Sequence, residues 1–154
     1  MTVAWRLVKA RHVPDAFTGE GARLYGGRWN LKGVSVVYVS EHLSLAALEQ
    51  FVHVSPAENK IRYAFMRIDI PDTVQIEEVN RQDLPADWRQ EPVPASTQEM
   101  GSLWAKERRS AVLKLPSVII PSEHNFMLNP LHPAFKEIRI GSHEPFSFDP
   151  RMWK

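Results

Sequence analysis

Apolar and polar positions alternate loosely at the start of the chain. Val3, Trp5 and Leu7 stand against Ala4, Arg6 and Val8, and this two-residue period predicts a strand over Val3 to Lys9. From Arg11 to Arg23 the pattern breaks into Pro, Asp, Gly and Glu, the composition of a surface loop. A β-branched run from Val34 to Ser40 predicts a second strand. The period then changes. With Ser44 as cap, a helix from about Leu45 to Val54 places Leu45, Leu48, Phe51 and Val52 on one stripe. At about 100° per residue, Glu49 falls about 40° from Leu45, on the shoulder of that stripe. A carboxylate there is partly dehydrated and needs a partner or a purpose; His53, one turn on, is a candidate partner.

Further along, Ile61 to Ile70 is strand-like, and Val74 to Val79 is a shorter candidate. Leu84 to Thr97 carries several prolines and reads as a long connection, tacked to the body by Trp88. Ser96-x-x-Glu99 fits a capping box for a helix reaching about Ser110. Leu113 to Ile120 is apolar but contains Pro116, which predicts a bent strand or two short ones. Phe135 to Ile140 and Pro145 to Phe148 are late strand candidates. Short strands with two or three helices and no regular βα alternation predict a mixed α+β fold. At 154 residues, with no internal repeat, a single domain over 1–154 is expected.

Composition narrows the chemistry. The chain has no cysteine, which excludes disulfides, a thiolate nucleophile and cysteine-held metal sites. Its six histidines show no compact ligand spacing, so no metal is expected. A formal net charge of +1 argues against direct nucleic-acid binding through a broad basic surface. No apolar run is long enough to span a membrane and no signal sequence is evident, so a cytoplasmic location is expected. P-loop, Rossmann and serine-hydrolase signatures are absent.

The densest chemical signal is Gly26-Gly27-Arg28-Trp29-Asn30. Paired glycines permit positive φ or a close approach to the backbone. Arg28 presents a planar fork that either ties the turn to a nearby carboxylate or grips an anionic ligand. Glu49 divides in the same way between a structural ion pair and a functional acid. Tyr38 at a strand end suits core or site, and Ser122 suits a turn, a cap or a site.

The order of these pieces resembles the RES domain family, named for its arginine, glutamate and serine. The resemblance rests on Gly26-Gly27-Arg28-Trp29-Asn30, Tyr38-Val39-Ser40, Leu45-Ala46-Ala47-Leu48-Glu49 with His53, Pro121-Ser122 through Asn125, and Asn129-Pro130. It runs from Trp5-Arg6 to Asp149-Pro150-Arg151. It implies an ADP-ribosyltransferase-like core of small packed sheets with flanking helices. It also implies an NAD-consuming toxin held off by a cognate antitoxin, of the Xre helix-turn-helix type. Carried over by motif, Arg28, Tyr38, Glu49 and Ser122 are the expected catalytic residues, with Ser40 and Ser117 in comparable positions to Ser122. Arg28, Trp29, Asn30, Tyr38, Ser40 and Asn125 are the expected substrate contacts. NAD+ is the expected substrate, and no separate cofactor is expected.

The residue types suit that chemistry. Breaking the nicotinamide–ribose bond releases a neutral leaving group and builds positive charge on the ribose. An ionised Glu49 can hold the ribose hydroxyls and favour that charge, Arg28 can grip the pyrophosphate, and Tyr38 can stack the nicotinamide. Water, phosphate or a macromolecule can each receive the ADP-ribose. A non-catalytic nucleotide- or antitoxin-binding module is the alternative from another class. An RNA-cleaving toxin is disfavoured by the weak basic field.

Overall fold

The protein is described by a computed structural model over residues 1–153. Eight strands form one sheet: β1 Thr2–Lys9, β2 Val37–Ser40, β3 Tyr63–Ile70, β4 Ile76–Glu78, β5 Val112–Pro116, β6 His124–Leu128, β7 Arg139–Ile140 and β8 Glu144–Phe146. Their order is β4-β5-β6-β2-β1-β3-β7, with β8 pairing beside β7 on β3. All described pairings are antiparallel except β4 with β5. The α+β class expected from the pattern is the one observed. The short strands, however, join into one sheet instead of several small ones.

Three helices accompany the sheet: α1 Glu20–Tyr25, α2 Leu43–Phe51 and α3 Ala95–Lys106. None of the helices is long and apolar enough to cross a membrane. The sheet is buried on both faces at its centre, which is why Val37 to Val39 and Phe126 to Leu128 are apolar at every position. Strand alternation sorts them. Val37 and Val39 join Phe126, Leu128 and Val112 on one face. Leu113, Leu115 and Met127 join Trp29, Val36 and Trp104 on the other, with Tyr38 packed against them. Ser40 shares the Tyr38 face because it lies two residues on. That second face carries the residues of interest.

Several local expectations shift. The loop expected over Arg11 to Arg23 contains a 3-10 turn, Ala10–Asp15, and then α1. Helix α2 begins after His42 and ends at Phe51, so Val52 falls outside the buried stripe and is 59% exposed. Helix α3 starts after Pro94. The Ser96 hydroxyl donates to Asp87 instead of capping the helix. Pro133–Glu137 is a 3-10 turn, leaving only Arg139–Ile140 of the expected late strand.

Candidate active site

Two glycines set up the Arg28 loop. Gly26 has φ +73°, the left-handed region that a side chain resists. At Gly27 the close approach is to the protein itself: an added Cβ would lie 2.8 Å from the Tyr38 hydroxyl and 2.9 Å from Asn30 Oδ1. The Tyr38 hydroxyl donates to Asn30 Oδ1 at 2.6 Å and accepts from the Trp29 N–H at 3.1 Å. Asn30 Nδ2 donates to the carbonyls of Ala22, Leu31 and Val34. Trp29 is 4% exposed and Asn30 0%. The side chains of these two expected substrate contacts are buried in the loop they hold.

Burial pushes the Tyr38 hydroxyl well above its ordinary value, against the smaller opposing effects of the Trp29 N–H and the Arg28 charge. It stays protonated at any physiological pH and is committed to Asn30. What Tyr38 has left to offer is its ring.

Glu49 is the centre of a second network, and its donors can be assigned without ambiguity. An ionised carboxylate only accepts hydrogen bonds, so Asn125 must turn its amide nitrogen toward it. Asn125 Nδ2 donates to Glu49 Oε1 at 2.8 Å, and Asn125 Oδ1 accepts from the buried Ser40 hydroxyl at 2.6 Å. The Ser117 hydroxyl accepts from the N–H groups of Ile119 and Ile120, both at 3.0 Å. Its single proton therefore goes to Glu49 Oε1, at 2.7 Å. Both donors converge on one oxygen. Glu49 Oε2 takes no hydrogen bond from any described residue, and the side chain is half-buried.

The elements explain this convergence. Register pairs Ser40 with Asn125 and Leu115 with Asn125 across β2, β6 and β5. Ser117 follows β5 directly, so three strand ends meet at one edge of the second face, and α2 lays Glu49 over them. His53, the expected partner of Glu49, is exposed beyond the end of α2. Ser122 is exposed in the turn before β6. The serine that touches Glu49 is Ser117, fully buried at 0%.

Arg28 does not reach Glu49 either. Its Nη1 donates to the carbonyls of Gln90 at 2.8 Å and Trp88 at 3.2 Å, and its Nη2 pairs with Glu91. Arg28 is nearly enclosed, at 13% side-chain exposure, while Glu91 is 72% exposed. The 81–94 segment thus crosses the face. Trp88 packs into the core, Arg89 donates to the Val118 carbonyl at 3.0 Å, and Arg81 donates to that of Pro121. One connection spans from the Arg28 loop to the turn that follows Ser117. The sequence marks it as a proline-rich link tacked down by Trp88, and Trp88 does pack against the core.

The chain has relatives among known proteins. The RES domain family model matches residues 3–149. The chain belongs to the RES domain family. It is 38% identical over 150 residues to "Toxin Res" of Yersinia enterocolitica, covering 96% of this chain and 97% of that one. It is 37% identical over 155 residues to the "Prs ADP-ribosylating toxin" of a Sphingobium strain, covering 98% of this chain and 96% of that one. In structure it is similar to a chain of the M. tuberculosis MbcT–MbcA toxin–antitoxin complex, with TM-score 0.77 over 99% of this chain and 86% of that one. At 16% identity, that likeness bears on the fold alone.

Within this RES domain the two networks lie along one strand. Tyr38, tied to the Arg28 loop, and Ser40, tied to Asn125 and Glu49, are two residues apart on the same face of β2. A pair at that spacing spans about 7 Å. The serine assignment is testable directly. Ser117→Ala removes a donor from Glu49 and leaves two N–H groups without their acceptor, an expected loss of about 1–3 kcal/mol in urea unfolding. Ser122→Ala should stay within about 0.5 kcal/mol of the parent, as exposed substitutions do.

Proposed function

We propose that this RES domain is the toxin of a toxin–antitoxin pair and that it breaks the nicotinamide–ribose bond of NAD+. The observation that carries the reading is Glu49 itself: one oxygen is fixed by two donors and the other is free. A fixed carboxylate with one oxygen unengaged is the acceptor that ribose hydroxyls require. The names of the relatives, toxins and an ADP-ribosylating toxin, support the same reading.

In the proposed reaction Glu49 Oε2 accepts hydrogen bonds from the ribose hydroxyls. The bond between C1′ and the nicotinamide nitrogen breaks, and its electron pair leaves on nicotinamide, which becomes neutral. Positive charge develops on the ribose, where the fixed negative charge of Glu49 stabilises it. Addition of the acceptor oxygen and loss of its proton complete the step. Ser117 and Asn125 act as positioning residues for Glu49. Tyr38 contributes its ring face to the nicotinamide, and Arg28 takes the pyrophosphate. A cognate antitoxin, of the Xre helix-turn-helix type, covers this face and supplies the DNA-binding surface that a chain of net charge +1 lacks.

Incubation of the purified protein with NAD+ tests the reading: free nicotinamide should accumulate with turnover. Its absence, with folded protein, would leave a binding module. The Sphingobium relative's name favours a second reading, transfer of ADP-ribose to a protein. NAD+ labelled on its adenylate part separates the two, because transfer leaves label on a macromolecule while hydrolysis or phosphorolysis leaves it small.

Glu91 gives a further prediction. It holds the guanidinium that the pyrophosphate must reach, so substrate and Glu91 compete. Because Glu91 is 72% exposed, its charge adds about 1 kcal/mol or less, so Glu91→Gln should lower KM for NAD+ by at most about fivefold, with kcat little changed. A raised KM would mean that Glu91 helps substrate binding.

A further inference from the structure

The tripeptide Ser-Glu-His occurs twice, at 40–42 and again at 122–124. The two copies are far apart in the chain, yet pairing of β2 with β6 sets them side by side. The Glu41 N–H donates to the His124 carbonyl at 3.1 Å, and the His124 N–H donates back to Glu41 Oε1 at 2.8 Å. Around this contact one ligating atom each of Glu41, His42 and Glu123 lies within 4.8 Å of the others. His124 Nδ1 stands 3.6 Å from Glu41 Oε1.

Two carboxylates drawn this close repel each other unless a cation lies between them. Among the described residues no lysine or arginine pairs with either. At ion-pair distance Glu41 has only the imidazoles of His42 and His124, and Glu123 has no basic partner. Imidazole nitrogen with carboxylate oxygen is the ligand set of zinc and its neighbours in the first transition row. We propose that Glu41, His42 and Glu123 bind one divalent ion of the zinc class, with His124 placed to complete the set. Tetrahedral bonds of about 2.1 Å hold ligand atoms about 3.4 Å apart, so binding would draw the three side chains inward by roughly an ångström. His42 is 59% exposed, which opens a path for the ion.

The site is separate from the proposed reaction. Its ligands do not include Glu49, although they flank Ser40 and Asn125 directly in sequence. An ion there would tie the β2–α2 junction to the β5–β6 turn and steady the supports of Glu49 from behind. Histidine spacing alone misses the set, because the ligands come from two strand ends.

Calorimetric titration of chelator-stripped protein with zinc chloride tests the proposal. One ion per chain is expected, with micromolar affinity and a rise in unfolding temperature. His42→Ala and Glu123→Gln should each weaken binding by about tenfold or more. Neither residue makes a side-chain hydrogen bond among the described residues, so both variants should fold, as circular dichroism would check. His12→Ala, at the separate His12–Asp15 pair, should bind as the parent does. Absence of saturable binding below millimolar zinc, or parent-like affinity in both variants, would overturn the site.

Discussion

Glu49→Gln is expected to end NAD+ consumption while leaving the fold almost untouched. The glutamine carbonyl can take the place of Oε1 and keep the bonds from Ser117 and Asn125, since both neighbours donate. Its amide nitrogen then turns toward the ligand side, where Oε2 stood. No guanidinium is left without a counter-charge, because Arg28 is held by the 88–91 carbonyls and Glu91. The structural cost should therefore be about 1 kcal/mol or less, not the roughly 3–5 kcal/mol of breaking a buried ion pair. Catalysis should nonetheless fall by on the order of a hundredfold or more, because the charge that favours the ribose cation is gone. Urea unfolding beside a nicotinamide-release assay reads both quantities. A variant several kcal/mol less stable, yet near normal in turnover per folded molecule, would remove Glu49 from the reaction.

The contrast between Glu49 and Arg28 also shows which parts of the site a local reading reaches. The helical wheel places Glu49 at the shoulder of α2, and its half-buried position there is the observed one. Its partners could not be read in the same window. Ser117 and Asn125 come from β5 and β6, and only strand register brings them to α2. The serines illustrate the point best. Pro116-Ser117 and Pro121-Ser122 are the same dipeptide at the two ends of one short turn. Nothing local separates them; one ends a buried strand and the other is exposed. Arg28 likewise sits on the expected glycine turn, but its partners lie in a segment whose sequence shows an irregular link tacked down by Trp88 and nothing of where it crosses.

The fold follows the same rule. Strands β1 and β3 are close to their expected bounds because a long alternating run survives any neighbour. Helix α1 escapes because six residues carry no apolar stripe; the hydroxyl of Thr18, accepting from the Glu20 N–H, helps start it. The capping box at Ser96 fails because Asp87, brought alongside by the loop, takes the serine hydroxyl. Around Phe135, Pro133 and the His132 side chain, which accepts from the Ala134 N–H, start a turn where the apolar pattern suggests a strand. At Ser96 and around Phe135 a side-chain hydrogen bond outweighs a pattern worth only tenths of a kcal/mol per residue.

Gly101→Ala sets helix propensity against packing, and packing should win. Alanine in place of glycine inside a helix is ordinarily worth about 1 kcal/mol of stabilisation. At position 101, however, an added Cβ would lie 1.9 Å from the Trp29 carbonyl oxygen and 2.9 Å from the Met127 methyl. The first obstacle is backbone, so no rotamer change relieves it. The same face of α3 grips the Arg28 loop elsewhere: Gln98 donates to the Gly27 carbonyl at 3.1 Å, and the Ser102 hydroxyl accepts from the Leu31 N–H at 2.8 Å. To admit the methyl group, α3 must move off that loop. The expected loss is about 3 kcal/mol or more, at the upper end of the usual overpacking range. Nicotinamide release per folded molecule should fall as well, since Trp29 anchors Tyr38 and carries Arg28 beside it. Gly21→Ala provides the control: it is helical, exposed and free of any atom within 4 Å of an added Cβ, so it should gain up to about 1 kcal/mol. Urea midpoints for the two variants should move in opposite directions. A Gly101→Ala midpoint at or above the parent's would show that α3 does not clamp the Arg28 loop.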